Sequence, residues 1–432
     1  MRYIPINNRL FSKNRQKLIQ KLPDKSLTIF NSNDLMPTNA DGIMGFKQNS
    51  DLFYLSGIDQ EETILIIEKI NEQQHTTYLF VRETNEHIKI WEGDKLTQAQ
   101  ATALSGIENV YWTKEFETIL PTLVEHNEII FYNSNEHARA TKEVTTRDDR
   151  FFTFLQETHP HKRYEKVAPI LHDLRYHKEP EEIAVIQQAC TITGKAFRRI
   201  LPFINAGKYE YEVEAEITHE FLVNRSRGHA YQPIIASGAD ACVLHYIENN
   251  KAMQDGALVL MDFGAEYANY ASDLTRTVPV SGRYSPRQKA VYNATLSVMK
   301  QAISLLKVGT TFVEYNTAVG NAMEKELVDL GLLTMNEIHN QDPKNPAYKK
   351  YFMHGTSHSL GLDVHDVDNR ALPFAAGMVF TCEPGIYIPE EEIGVRIEND
   401  ILITEEGNTD LMKSIPIEIE EIEALMNRKK IR

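Results

Sequence analysis

The sequence predicts a two-domain protein, an α/β domain followed by an α+β domain, and three observations support this. The chain has 432 residues, which is too long for one small core. As far as about Leu171, helix-like spacing of apolar residues alternates with short β-branched and aromatic runs. Beyond it, two long helical patterns followed by a strand-rich block occur twice in succession. We therefore expect domains at residues 1–172 and 173–432.

The first domain is predicted from one helix and several strands. Arg9 to Leu22 has helical spacing and ends near Pro23. β-Branched and aromatic runs predict strands at residues 26–30, 63–67, 76–81 and 128–132. Such a set forms an α/β layer with its own core. Trp91 has two interpretations here, a core residue or a contact with a partner.

The second domain is predicted to open with a long helix that has Pro180 in its first turn. Two acidic residues follow the proline, beside the positive end of the helix dipole, and apolar residues then recur at helical intervals as far as Ile200. The remaining elements are a helix at 211–227, strands within 231–280, helices capped by Ser285 and Thr311, and strands within 352–405. This order predicts an α+β domain with a duplicated plan.

The composition excludes several kinds of function. The formal net charge of −15 argues against a nucleic-acid partner, which would need a basic stripe. The sequence contains neither a signal-peptide pattern nor a long apolar run, so we expect no membrane span. The three cysteines are far apart and odd in number, which favours reduced thiols in a cytoplasmic protein. Phosphate-binding loops and serine-nucleophile motifs are also missing from the sequence.

Two aspartates are predicted to face each other across a hairpin. Asp262 ends the apolar run 257–261, and Asp273 follows eleven residues later. With a turn near Tyr267 the two would be cross-strand neighbours and would repel each other. A divalent cation between them would remove the repulsion. The structural alternative is that Arg276 neutralises one of them.

Two further strands carry buried acids. Residues 377–382 form an apolar strand that ends at Glu383. Residues 394–403 are predicted to form one strand whose charged face carries Arg396, Glu398 and Asp400. Carboxylates among apolar residues are unfavourable unless they are paired or bind a metal.

The segment 352–366 contains three histidines, His354, His358 and His365. Gly361 allows a sharp turn, and the alternation after it predicts a short strand that directs His365 away from the apolar face. One histidine with two aspartates and two glutamates is an oxygen-rich donor set that suits two divalent ions. Four carboxylates balance two dications, which leaves room for a bridging hydroxide.

The order of these residues resembles the five-ligand signature of the pita-bread metallopeptidases. Within them, the segments 354–366, 381–385 and 396–400 are similar to those of the Xaa-Pro aminopeptidases. Residues 243–249 resemble the other histidine motif of that family, and 49–57 resemble its N-terminal domain. The resemblance covers nearly the whole chain.

The resemblance implies the pita-bread fold and hydrolysis of the bond between an N-terminal residue and a following proline. It implies two divalent ions, usually manganese with cobalt or zinc as alternatives, and a bridging hydroxide as the nucleophile. The implied ligands are Asp262 on one ion, His358 and Glu383 on the other, and Asp273 and Glu398 on both. The other implied roles are proton transfer by Glu383, substrate positioning by His245 and His365, and lining of the proline side by His354 and Arg396.

The resemblance also implies peptide partners and a homodimer or homotetramer, in which Trp91 would reach a neighbouring subunit. Two alternatives stay open. A prolidase has the same fold and metals but cleaves dipeptides, and Ser357 favours the aminopeptidase over it. The more distant alternative is a metal-free creatinase-like hydrolase or binding module.

Overall fold

The computed structural model describes residues 2–137, 139–141 and 143–428. It separates into two compact units, Tyr3–Arg175 and Tyr176–Arg432. Among the described residues, no helix combines the length and the apolar character needed to span a bilayer.

The first unit contains a six-stranded sheet in the order β4-β3-β2-β1-β5-β6. The strands are β1 (Ser26–Asn31), β2 (Ile64–Asn71), β3 (Gln74–Val81), β4 (Asn109–Trp112), β5 (Ile129–Tyr132) and β6 (Arg163–Lys166). The helices are α1 (Asn8–Lys21), α2 (Ser50–Ser56), α3 (Glu86–Glu92), α4 (Gln98–Ser105), α5 (Phe116–His126), α6 (Arg147–Thr158) and α7 (Ala168–Tyr176). β1 pairs antiparallel with β2 and parallel with β5, so the sheet is mixed.

The core of this unit forms where the apolar residues of the central strands meet α5. Leu27, Ile66 and Phe80 from the sheet belong to one buried cluster with Leu120 and Val124 of the helix. The helix predicted at the N-terminus and the four predicted strands are confirmed, with ends that move by a few residues. Local periodicity was sufficient to predict these strands because each of them is rich in β-branched or aromatic residues.

Of the two interpretations of Trp91, the core position is wrong. Trp91 lies in α3 and its side chain is 76% exposed. None of the seven residues of α3, all of them described, is buried. The helix is held at its start by Asn85, whose side chain accepts a hydrogen bond from the amide of Ile88.

Asp148, in the first turn of α6, is a buried carboxyl group held by one neighbour. It accepts hydrogen bonds from the backbone amide of Asn31 at 3.2 Å and from the side-chain amide at 2.8 Å. Burial raises the pKa of Asp148 to about 7, and these hydrogen bonds only partly oppose the rise. The folded state therefore keeps this proton at pH values where the unfolded chain has released it.

We expect Asp148→Asn to weaken the pH dependence of stability. A raised folded-state pKa contributes stability that is complete below about pH 4 and is lost as the pH rises through about 7. Asparagine keeps the acceptor oxygen but does not ionise, so the wild type should lose up to about 4 kcal/mol more than the variant over this range. Urea unfolding at pH 4 to 8 measures the difference, and parallel curves for the two proteins would contradict the assignment.

The second unit contains two helix pairs, each followed by strands, as the sequence predicted. The helices are α8 (Pro180–Ile200), α9 (Glu210–Val223), α10 (Pro286–Leu305), α11 (Phe312–Asp329), α12 (Met335–His339) and α13 (Ile419–Met426). Strands between the pairs are β7 (Gly228–His229), β8 (Ile234–Ser237), β9 (Leu258–Asp262), β10 (Ala265–Tyr267), β11 (Tyr270–Ala271) and β12 (Thr275–Pro279). Strands after the second pair are β13 (Val379–Cys382), β14 (Gly385–Ile388), β15 (Ile393–Arg396), β16 (Asn399–Thr404) and β17 (Gly407–Asp410).

These strands form small antiparallel sheets in the orders β12-β9-β8, β11-β10-β7, β13-β16-β17 and β14-β15. The single strand predicted at 394–403 is therefore wrong. It divides into β15 and β16, and Ile397 and Glu398 lie between them. The amide of Glu398 donates to the carbonyl of Thr275 in a different sheet, which draws the chain out of the ladder at this point.

The hairpin after Asp262 is present, but its register differs from the prediction. The turn residues are Ala268 and Asn269, both with positive φ, as a two-residue hairpin loop of the primed type requires. Asp262 therefore pairs with Thr275, and Asp273 lies two residues before that partner. A shift of two residues keeps both aspartates on the same face.

Candidate metal centre

The ends of several strands bring the five predicted ligands together. Asp273, His358 and Glu398 are all buried, and each offers a ligand atom within 4.8 Å of the other two. Nε2 of His358 is 3.5 Å from Asp273 Oδ2 and 3.5 Å from Glu383 Oε1. The remaining residue, Asp262, joins the group through a shared hydroxyl group.

That hydroxyl group belongs to Tyr231, which the sequence analysis missed. Its oxygen is 2.6 Å from Asp262 Oδ1 and 2.5 Å from Asp273 Oδ1. One phenol therefore bridges the two aspartates that were predicted to face each other. A tyrosine in a strand-rich block looks like a core residue, so the sequence had no signal that distinguishes it.

The acids in this cluster are far from electrostatic balance. Burial raises the pKa of both Asp273 and Glu398 well above the usual range, and neighbouring carboxylates raise each further. Burial also raises the pKa of Glu383. Desolvated carboxylates at such short separations need cations, and a set of carboxylate oxygens with one imidazole nitrogen fits divalent metal ions.

His358, a predicted ligand, is oriented by the backbone of the next residue. Its Nδ1 lies 3.0 Å from the carbonyl oxygen of Ser359. A carbonyl only accepts, so Nδ1 carries the proton and Nε2 keeps its lone pair toward the carboxylates. The segment around it turns through bends after Gly361 and does not form the predicted short strand. This correction matters because the turn brings the ring of His365 to 4.3 Å from that of His358.

Neighbouring groups also hold the glutamates and Asp273 in place. The hydroxyl group of Thr275 donates to Glu398 at 2.6 Å, and that of Thr381 lies 3.4 Å from Glu383. The backbone amide of Asp273 donates to Asp400 Oδ2 at 3.0 Å. Asp400 shares the charged face that the sequence predicted, but its supporting role was not foreseen.

Arg396, predicted to line the proline side, contacts a predicted ligand directly. Its guanidinium is 2.7 Å from Asp262 Oδ2 and also donates to the hydroxyl groups of Tyr387 at 2.9 Å and Thr275 at 3.1 Å. The alternative that Arg276 neutralises an aspartate is wrong. Arg276 is buried and donates to Asn399 and to the carbonyl oxygens of residues 275, 398 and 416.

The histidines assigned to the substrate side have different surroundings. His354 Nε2 is 2.7 Å from the hydroxyl oxygen of Tyr387, and Nδ1 is 3.8 Å from Glu383 Oε2. Burial lowers the pKa of His354 to about 4, so its imidazole is neutral at pH 7. The positive charge of Arg396 lowers the pKa of His354 further, and His245 is exposed.

Comparisons with known proteins agree with this geometry. The family model "Metallopeptidase family M24" matches residues 184–405, and "Aminopeptidase P, N-terminal domain" matches residues 11–131. The Xaa-Pro aminopeptidase of Escherichia coli is 35% identical, over 98% of both chains. That of Haemophilus influenzae is 34% identical, over 96% of this chain and 97% of the relative.

Solved structures give the same result. A putative aminopeptidase P from Bacillus anthracis superposes with a TM-score of 0.92 at 32% identity, covering 99% of this chain and 100% of the other. Aminopeptidase P from E. coli in its low-pH form gives 0.90 at 34% identity, covering 98% and 99%. A zinc-substituted form of the E. coli enzyme in complex with product gives 0.89 at 34% identity, covering 99% and 100%.

The fold and the site together define a metallopeptidase that uses divalent metal ions, with an α/β N-terminal domain and a pita-bread C-terminal domain. The predicted fold class is confirmed. The chain belongs to metallopeptidase family M24 and, within it, to the Xaa-Pro aminopeptidases, so it is a metallo-aminopeptidase that acts on peptides.

Proposed function

We propose that this enzyme removes the N-terminal residue from peptides whose second residue is proline, with two divalent ions in the buried acidic cluster. The observation that carries the proposal is the convergence of Asp273, His358 and Glu398 within 4.8 Å, beside further carboxylates. The oxygen-rich donor set favours manganese over zinc.

The ligands would divide between the two ions. Asp262 would hold one ion, His358 and Glu383 the other, and Asp273 and Glu398 would be shared. When bound, such a pair of ions supplies a hydroxide nucleophile at neutral pH and polarises the scissile carbonyl. Burial and neighbouring carboxylates raise the pKa values of Asp273 and Glu398, which supports the proposal because bound cations would offset this repulsion.

The chain's own residues supply the proton transfer and the positioning. Glu383 is 19% exposed and its carboxylate lies beside His354 and His358, so it has access to both solvent and the cluster. We assign it the proton that the attacking water releases and that the leaving proline nitrogen needs. His245 and His365 would position the scissile carbonyl.

His354 would line the proline side together with Arg396. Tyr387 connects them, because its hydroxyl group accepts from Arg396 and donates to Nε2 of His354. The neutral imidazole of His354 suits contact with a proline ring, which offers no hydrogen-bond donor once it is acylated.

We expect an Xaa-Pro-Yaa tripeptide to be cleaved at least about ten-fold faster than the Xaa-Pro dipeptide, a preference of about 1.4 kcal/mol. The measurement is kcat/KM for both peptides with added Mn²⁺, with chelator-treated enzyme as the inactive control. The reverse preference would favour the prolidase alternative. Undiminished activity in chelator would instead contradict the metal requirement.

Two further proposals concern assembly and location. The exposed Trp91 fits a homodimer or homotetramer in which this side chain contacts a neighbouring subunit. Sedimentation of the wild type and of Trp91→Ala tests this. We propose a cytoplasmic location because the three cysteines, which are free in the structure, are spaced as in proteins with reduced thiols.

A further inference from the structure

A short loop joins two of the site's histidines. It runs from Ser359 to Asp366, directly after His358, and contains His365. The amide of Asp366 donates to the carbonyl oxygen of Ser359 at 2.9 Å, which closes the loop on itself. The rings of the two histidines lie 4.3 Å apart at 78°. The path of this loop therefore decides where His365 lies relative to the ligand His358.

A buried ion pair lies beneath this loop. Lys178 Nζ is 3.1 Å from Asp366 Oδ2, and the two side chains are 1% and 2% exposed. The backbone amide of Lys178 donates to the carbonyl oxygen of Gly377 at 2.8 Å, so the lysine is fixed at its base. Within the described parts of the chain its ammonium makes no hydrogen bond of good geometry, and the charge of Asp366 is what stabilises it.

The ion pair packs directly against the loop backbone. A Cβ atom added to Gly361 would lie 2.1 Å from Asp366 Oδ2 and 3.0 Å from Cε of Lys178. The carbonyl oxygen of Gly361 also accepts from the amide of Ala271 at 2.8 Å. Displacement of either charged group would therefore disturb the loop itself.

Glu182, in the first turn of α8, is a further ionisable group near this pair. Tyr270 donates to its Oε1 at 2.9 Å, and the amide of Glu179 donates to its Oε2 at 2.9 Å. Since both oxygens of Glu182 already have donors, Asp366 is the carboxylate in ion-pair contact with Lys178.

We propose that Lys178 and Asp366 are positioning residues for His365: their buried ion pair holds the loop closed and keeps His365 against His358. The inference rests on the proposed peptidase function, in which His365 positions the scissile carbonyl. Neither residue of the pair touches the substrate in this proposal, and both act through His365.

The first test is Lys178→Met, which keeps the length of the side chain and removes its charge. We expect kcat for an Xaa-Pro-Yaa tripeptide to fall about 10- to 100-fold, with KM and bound Mn²⁺ close to wild type. The matched control is Lys69→Met in the first unit, since Lys69 is also 1% exposed and ion-paired, 2.8 Å from Glu72. The control should keep wild-type kcat. A wild-type kcat in Lys178→Met would overturn the proposal.

The second test places Lys178→Met in a His365→Ala background. If the pair acts through His365, the added loss of kcat should be less than about three-fold. An equal loss in both backgrounds would indicate a general structural role and would refute the inference. Where Lys178→Met does not fold, Lys178→Met/Asp366→Asn removes both buried charges and should show the same pattern.

A crystal structure of the variant gives a readout that does not depend on turnover. We expect the separation of the His358 and His365 rings to increase from 4.3 Å. An unchanged separation would overturn the inference even if the wild type proved to have another substrate. Absence of wild-type cleavage of Xaa-Pro-Yaa peptides, by contrast, would count against the proposed function alone.

Discussion

Asp273→Asn is expected to lower kcat for Xaa-Pro-Yaa peptides at least about 1,000-fold, a barrier increase of about 4 kcal/mol, while the fold persists. Asp273 lies at the centre of the cluster, within reach of His358 and bridged to Asp262 by Tyr231. Its replacement removes one of the charges that the metal ions require, and asparagine keeps the shape.

Without metal, the same variant should be more stable than the wild type, and it should gain less stability than the wild type when metal is added. In metal-free protein, loss of one desolvated carboxylate relieves repulsion, so the unfolding midpoint should rise. The added stability on saturation with Mn²⁺ should shrink, because the variant binds the ions more weakly. Thermal unfolding with and without Mn²⁺ measures both, and Asp148→Asn serves as the control with full activity. Near-normal turnover would remove Asp273 from the ligand set.

The acids of the candidate site could be singled out from the sequence because acids at the ends of apolar strands are costly without a cation. Asp262 follows four buried strand residues, and Glu383 follows another buried strand. This cost is visible in sequence alone and requires no knowledge of the fold. The helix starts at Ser285 and Thr311 could also be predicted from the sequence, because each capping box is a local pattern that is present in the structure.

The register of the hairpin after Asp262 and the strand break at Glu398 could not be predicted from the sequence, for a physical reason. A shift of two residues leaves the alternation of faces unchanged, so the pattern around Asp262 fits either turn position. The turn that forms depends on Ala268 and Asn269 adopting positive φ. Likewise, the alternation runs unbroken through Glu398, and the strand is interrupted there by hydrogen bonds to distant residues, among them Thr275.

Contacts between residues that are distant in sequence could not be predicted either. The pairing of Arg396 with Asp262 joins residues far apart in sequence, and no periodicity links them. The alternation of side chains placed Arg396 on the same strand face as Glu398, and therefore near the cluster. It did not indicate which carboxylate Arg396 would contact. The contact suggests a second role for Arg396, because a residue assigned to the substrate also holds a predicted metal ligand.

Arg396→Lys should therefore lower kcat/KM about 100-fold, or about 2.7 kcal/mol, although the charge is retained. The guanidinium contacts Asp262, Tyr387 and Thr275 at once, which one ammonium on a flexible stem cannot reproduce. Arg396→Met should be more damaging, about 1,000-fold, because Asp262 then loses its buried partner.

Tyr387→Phe separates the two roles of Arg396. It keeps the ion pair with Asp262 and removes the hydroxyl group that connects Arg396 to His354. If the ligand contact dominates, Tyr387→Phe should cost only about ten-fold, well below Arg396→Lys, in steady-state kinetics with tripeptide and saturating Mn²⁺. Equal losses in the two variants would indicate that Arg396 acts mainly through His354, on the substrate side. A lysine variant within three-fold of wild type would contradict both roles.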